Sequence, residues 1–409
     1  MDERSVPGPG PTGGDTAKVL LREIAAVFLR LGLTAFGGPA AHVAMMEEQV
    51  VRRRGWLTHA EFLDLLGATN LIPGPNSTEM AIHIGRRVGG WKGFLVAGLC
   101  FILPAALIVA ALAWCYVAFR TLPPVAGLLY GVKPVLIAVV VQALWKLGRT
   151  AVRSRLLALA GAATAVLAAL GVHELAVLFG TGLVLATIRS ARRYEEARRQ
   201  SLAVLGLIAL VALLVGAAVA WLGPGSGGGG ATAFGLPPLF LIFLKVGAVL
   251  FGSGYVLLAY LRADLVERHG WLTEGELLDA VAVGQVTPGP VFTTATFVGY
   301  LLSGPVGAVV ATVAIFLPAF VFVALSGPLV PRLRRSAVAG AFLDGVNVAS
   351  VALMAVVAVQ LGRSALVDGV TVVVALAAAA LLLGGRVNSA WLVLGGGTVG
   401  VLRAVFGGW

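Results

Sequence analysis

Apolar runs long enough to cross a bilayer follow one another along almost the whole chain. About 18 or more such residues bridge roughly 30 Å of hydrocarbon as an α-helix. Inside lipid every backbone N–H and C=O must be bonded internally, so only helices and closed barrels can span. The period-two alternation of barrel strands is absent. The expected fold class is therefore an all-α polytopic membrane protein with about 12–13 membrane segments. Composition agrees: 59% of the 409 residues are hydrophobic and 12% are charged, where a soluble domain is about 45–50% apolar.

The chain contains one unit twice. "FLRLGLTAFGG" at 28–38 matches "FLKVGAVLFGS" at 243–253, a shift of 243 − 28 = 215, and GWLT (55, 270) and PGP (73, 288) keep it. Beyond one deletion the shift is 214, as in "FILPA" against "IFLPA" (101, 315) and "KLGR" against "QLGR" (146, 360). The expected organisation is a disordered tail over 1–16, which lacks the apolar core of a cleavable signal peptide, and a first repeat over 17–190. A basic loop, an extra membrane helix and a Gly-rich linker follow over 191–236, then a second repeat over 237–409.

Lys and Arg exceed Asp and Glu by 30 to 19, and the surplus lies in short connections: Arg52 to Arg54, Arg86/Arg87, Lys146 to Arg155, Arg189 to Arg199 and Arg332 to Arg335. That is the pattern of cytoplasmic loops rather than of a nucleic-acid surface. If the PGP segment crosses the membrane, each half has six crossings, the extra helix makes the count odd, and the halves are inverted; Arg52 to Arg54 then lie outside. If PGP is re-entrant, each half has five crossings and the halves run parallel. The inverted arrangement is preferred, because the other exposes the Arg332 cluster.

The PGP segments are the chemically unusual part. Proline removes a backbone donor and pushes the preceding residue out of the helical region, so "IPGPNSTE" (72–79) ends one helix and starts another. Two such starts, Pro73-Gly74-Pro75 with Asn76, Ser77 and Thr78, and Pro288-Gly289-Pro290 with Thr293, present unbonded N–H groups and positive dipole ends, which suit an anion. Inverted broken helices near the midplane are how many secondary transporters hold substrate. The alternative is a capped surface loop. Arg30 and Lys245 are equivalent under the repeat and sit inside apolar runs, where a cation costs about 2.5–3.5 kcal/mol; both are candidate anion ligands, with snorkelling as the alternative. Lys133 is a third cation, replaced by Asn347 in the second half.

The Gly-rich steps Phe36-Gly37-Gly38-Pro39 and Phe251-Gly252-Ser253-Gly254 allow either close helix packing or a backbone cradle for an oxyanion. Glu79, with Thr294 at its counterpart, is a candidate coupling carboxylate or a dipole cap. His42 and His83 are candidate titrating groups, or packing residues. Asp64 and Asp279 match under the repeat beside GWLT, where an interfacial helix explains them. Cys100 and Cys115 lack metal or disulfide spacing, and no cofactor or metal motif is present.

"FGGPAAHVAMMEEQVVRRRGWLTHAEFLDLLGATNLIPGPNSTEMAIHIG" and "FGSGYVLLAYLRADLVERHGWLTEGELLDAVAVGQVTPGPVFTTATFVGYL" resemble the two halves of a long-chain member of the chromate transporter (CHR) family. The resemblance implies efflux of chromate, a tetrahedral dianion like sulfate, across the bacterial inner membrane, driven by the proton motive force and giving chromate resistance. It places the family's motifs on Phe36 to Pro39, Pro73 to Pro75, Phe251 to Gly254 and Pro288 to Pro290. FGSG and TPGPVFTT depart from FGGP and IPGPNSTE, so the first half is expected to lead in substrate selection and coupling. The partners implied are the oxyanion, membrane lipid and protons; a homodimer is open. Sulfate or another physiological oxyanion is the alternative substrate, and an anion channel the alternative mechanism. HExxH, CxxC and GxxxxGK[ST] are absent, so the equipment of an intramembrane enzyme or an ATP-driven pump is not visible.

Overall fold

The computed structural model describes residues 13–36, 38–191, 234–251, 256–384, 387 and 389–406. The expected tail over its first twelve residues, the extra helix and the Gly-rich linker lie outside them. Every regular element among the described residues is helical. In the first half these are α1 (Gly13–Thr34), α2 (Gly38–Glu47), α3 (His59–Thr69), α4 (Asn76–Phe119), α5 (Pro123–Ala151), α6 (Arg155–Ala169) and α7 (Glu174–Ala191). The second half repeats them as α8 (Leu236–Val249), α9 (Leu257–Leu261), α10 (Glu274–Val286), α11 (Thr294–Arg335), α12 (Ala337–Ala365), α13 (Gly369–Leu383) and α14 (Ser389–Phe406). A π-helix extends α2 over Glu48–Arg53 and α9 over Arg262–Arg268.

Neither the first helix nor the PGP segment of each half crosses. Lys245 and Asp264 are 19 residues apart, about 28 Å on a straight helix, yet Lys245 Nζ donates to Asp264 Oδ1 at 2.6 Å. The chain therefore doubles back at the FGSG break. In the first half one cleft is lined by Val27, Arg30 and Thr34 of α1 and by Met45, Glu48 and Arg53 of the return. Likewise Glu61 and Arg87, 26 residues apart, pair at 2.6 Å, and Asn76 bonds Asn70 at the other end of the same hairpin. Each half thus begins with two re-entrant hairpins. Each of these pairs of hairpins is joined by GWLT: Gly55 and Gly270 turn the chain at φ +60° and +61°, which favours glycine. Thr58 and Thr273 then form capping boxes with Glu61 and Glu276.

The long helices begin as hairpins too. Gly89 and Gly90 break α4, and Ser303 and Gly304 break α11; a Cβ on Gly85 would collide with Gly93, and one on Gly299 with Gly307. Beyond these breaks come the spanning stretches. Four helices are long and apolar enough to cross: Asn76–Phe119, Pro123–Ala151, Val291–Ser326 and Ala337–Ala365.

The two spanning stretches run antiparallel. Phe94 meets Phe320 edge-on at 5.5 Å and Tyr116 meets Phe297 at 5.1 Å. Phe297 lies on the arm folded back along the α11 span, where Gly299 abuts Gly307 and Thr296 bonds Thr312. Tyr116 is therefore level with an earlier part of that span than Phe94 is, and numbers rise along one stretch as they fall along the other. The halves are inverted. The crossing count proposed from sequence is corrected on this point: PGP is re-entrant, but so is the first helix, and removing both crossings keeps the count even. Arg53, Arg54 and Arg87 consequently share one face, here the first, with the early part of α1, where Leu21 and Ile24 meet Gly89; Gly304, Arg120 and Glu276 mark the second. The halves also exchange their closing helices. Gly182 of α7 packs on Phe342 and Val346 of α12, and Gly131 of α5 packs on Gly396 of α14. The largest core cluster joins both halves, for example Ile102, Val140 and Leu178 with Phe243, Phe292 and Val346.

Candidate functional site

The tips of the hairpins meet crosswise. The Gly74 amide donates to the Leu250 carbonyl at 2.8 Å, and the Gly289 amide to the Ala35 carbonyl at 2.9 Å. Under the register these are one interaction made twice, each PGP tip bonding to the broken first helix of the other half. Gly74 and Gly289 have φ of +133° and +88°. A Cβ on Gly289 would lie 2.6 Å from the Ala105 Cβ and 3.0 Å from the Gly32 carbonyl, so no side chain fits that crossing.

Each tip is a helix start without a side-chain cap. Pro75 and Pro290 occupy the N-cap positions; the Thr78 and Glu79 amides bond the Pro75 carbonyl. Pro73 and Asn76 are half-buried; Gly74, Pro75, Ser77, Thr78, Pro288 and Pro290 are buried. Glu79 is fully buried against Gly74, and neither of its oxygens has a hydrogen-bond partner; Thr78 Oγ1 lacks one as well. One turn on, His83 is buried with Nε2 unpartnered. His42 Nε2 bonds the Ala35 carbonyl at 3.1 Å, the same oxygen that receives Gly289, while its ring meets Phe101 edge-on. In the second half Thr293 and Thr294 donate to Pro290 and Val291 carbonyls at 2.8 Å, and Leu257 stands opposite His42 in the register. The titratable groups near the crossing, among the described residues, thus belong to the first half.

The remaining expected ligands separate. Phe36 is exposed and Gly38 half-buried; Gly37, Gly252, Ser253 and Gly254 lie outside the described residues. Arg30 is on an exposed flank of α1, lining the cleft toward α2. Lys245 corrects the expectation of a matching free cation: Asp264 takes its charge, with Glu174 at 3.9 Å. Lys133 is likewise held by Asp279 at 3.2 Å, whose other oxygen accepts from Tyr116 at 2.9 Å. Asp279 therefore joins the halves, where the sequence suggested an interfacial helix. Glu174, Asp264 and Arg268, of which Arg268 donates to Asp264 of its own half and to Glu174 of the other, escaped sequence reasoning. The signal available was the register, which keeps a cation at both Arg53 and Arg268.

The Chromate transporter family model matches residues 22–188 and 238–401. The chain belongs to the chromate transporter family. Its two matched segments coincide with the inverted halves. A probable chromate transport protein of Synechococcus elongatus is 32% identical over 364 residues, 88% of each chain. A chromate transport protein of Pseudomonas aeruginosa is 33% identical over 345 residues, covering 83% of this chain and 81% of its own. That of Cupriavidus metallidurans is 30% identical over 390 residues, 93% of each. No solved structure matches this member of the chromate transporter family.

Proposed function

We propose that this protein exports chromate across the bacterial plasma membrane, driven by the proton motive force and conferring chromate resistance. The observation that carries the reading is the crossed pair Gly74–Leu250 and Gly289–Ala35. It gathers two uncapped helix starts and two helix breaks from inverted halves, an arrangement suited to an anion that must be reached from either side. Pro73 to Thr78 and Pro288 to Thr293 are proposed to form the substrate route, with Phe36 to Gly38 and Gly252 to Gly254 at its breaks.

Glu79 is the proposed proton carrier, with His83 and His42 beside it. A charged carboxylate without hydrogen bonds is costly in dry surroundings, so a side chain that exchanges its proton as substrate passes would couple the two. Charge asymmetry supports a cytoplasmic first face. Arg53, Arg54 and Arg87 lie there with Glu48 and Glu61 as acidic partners of Arg53 and Arg87, three cations to two acids, whereas the second-face arginines Arg120, Arg262, Arg268 and Arg403 each hold an acid. Sulfate has the charge and shape of chromate and is the alternative cargo. The test is uptake of labelled chromate into inside-out vesicles with and without a proton gradient, and with excess sulfate. Gradient-dependent accumulation is expected; sulfate uptake without chromate uptake would reassign the cargo.

A further inference from the structure

The 215-residue register aligns Arg30, Gln49 and Arg53 of the first half with Lys245, Asp264 and Arg268 of the second. In the second half this constellation is closed. Lys245 donates to Asp264 at 2.6 Å, and Arg268 bonds both Asp264 and Glu174, the latter brought by α7 of the first half. Tyr260 fills the space beside them, fully buried. Two cations are met by two carboxylates of the protein.

The first half keeps both cations and loses both carboxylates. Gln49 stands for Asp264, Met45 for Tyr260, and Asn388 is the register counterpart of Glu174. In place of the filled cluster a cleft of about 420 Å³ opens between Arg30, Thr34, Met45, Glu48, Gln49 and Arg53. Arg53 bonds Glu48 at 3.0 Å, the one carboxylate at the cleft, while Arg30 has no acidic partner among the described residues. Arg54 donates to the Gln49 carboxamide oxygen at 2.6 Å, which leaves the Gln49 NH2 group as a donor. The π-helix present at this place in both halves carries residues 49 and 53, and 264 and 268, on the face turned to the first helix.

We propose that this cleft binds an oxyanion whose oxygens take the positions that the Asp264 and Glu174 carboxylates hold in the second half. Arg30 and Arg53 supply the charge-assisted bonds and Gln49 a neutral one. The second half is then a permanently self-liganded copy of the site, and Lys245 does not bind substrate. Charge and internal symmetry point to the anion; only the choice of chromate as a probe rests on the proposed function.

The test uses the full-length protein in detergent, with thermal unfolding followed against sulfate and chromate at constant ionic strength made up with chloride. The wild type should be stabilised by both dianions. Arg30→Gln should weaken the apparent affinity about tenfold or more. Gln49→Asp, which installs the carboxylate of the second half, should abolish the response while unfolding no earlier than wild type without ligand. A wild-type response in Gln49→Asp overturns the proposal, as does no response of the wild type to either dianion or to added phosphatidylglycerol. A response to phosphatidylglycerol alone, lost in Gln49→Asp, supports the site with a lipid phosphate as its anion. Chromate binding in a protein that moves no chromate would overturn the proposed function and leave the site standing.

Discussion

Glu61 pairs with Arg87 of its own half at 2.6 Å, whereas its register counterpart Glu276 pairs with Arg120 of the other half at 2.8 Å. The same acid, held by the same capping box, closes a hairpin on the first face and ties the halves together on the second. Near that second tie lie two more cross-half contacts, Lys133 and Tyr116 on Asp279, and Tyr130 on Asp368, which Arg403 of the same half also holds. The second face is latched across the halves by ion pairs.

Reversing one charge of the latch should impair transport, and reversing both should restore it. Arg120→Glu sets two carboxylates together; Arg120→Glu with Glu276→Arg remakes the pair. Because both side chains are partly exposed, the pair contributes about 1 kcal/mol or less to stability, so abundance should hold while flux changes. Chromate flux in vesicles, compared with membrane abundance, checks this; no recovery in the double variant would count against a latch.

Glycine contacts between exchanged helices give a second test. A Cβ on Gly131 would collide with the Gly396 carbonyl, whereas one on Gly148 of the same helix meets nothing within 4 Å. Gly131→Ala should destabilise by about 1–3 kcal/mol, and Gly148→Ala should not. Thermal unfolding in detergent separates them.

Sidedness is tested by labelling. Lys92 and Val306 occupy equivalent, exposed positions just after the two hairpin breaks, at opposite faces of inverted halves. Single cysteines at 92 and 306, in a protein whose Cys100 and Cys115 are replaced, should react with an impermeant thiol reagent from opposite sides. Labelling from the same side would mean parallel halves.

The repeat and the helix breaks were legible because they rest on local chemistry. Proline at 73 and 75 cannot continue a helix, and the register over GWLT and PGP needs no structure to be seen. The path was not legible. The apolar runs through α1 and α8 satisfy the length of a crossing, and it takes contacts such as Lys245–Asp264, between residues far apart along a straight helix, to reveal the return. The same long-range pairing neutralises Lys245 and Lys133, which as isolated cations in apolar runs resembled ligands. Glu79 was placed correctly at a helix start, but its lack of any partner depends on how Gly74 and its neighbours close around it.

The most direct test is proton movement in proteoliposomes loaded with chromate, with internal pH recorded as chromate leaves through wild type and through Glu79→Gln. Chromate efflux through wild type should carry a stoichiometric proton flux, and Glu79→Gln should abolish that flux whether or not chromate still moves. An unchanged ratio of protons to chromate in Glu79→Gln would contradict the account.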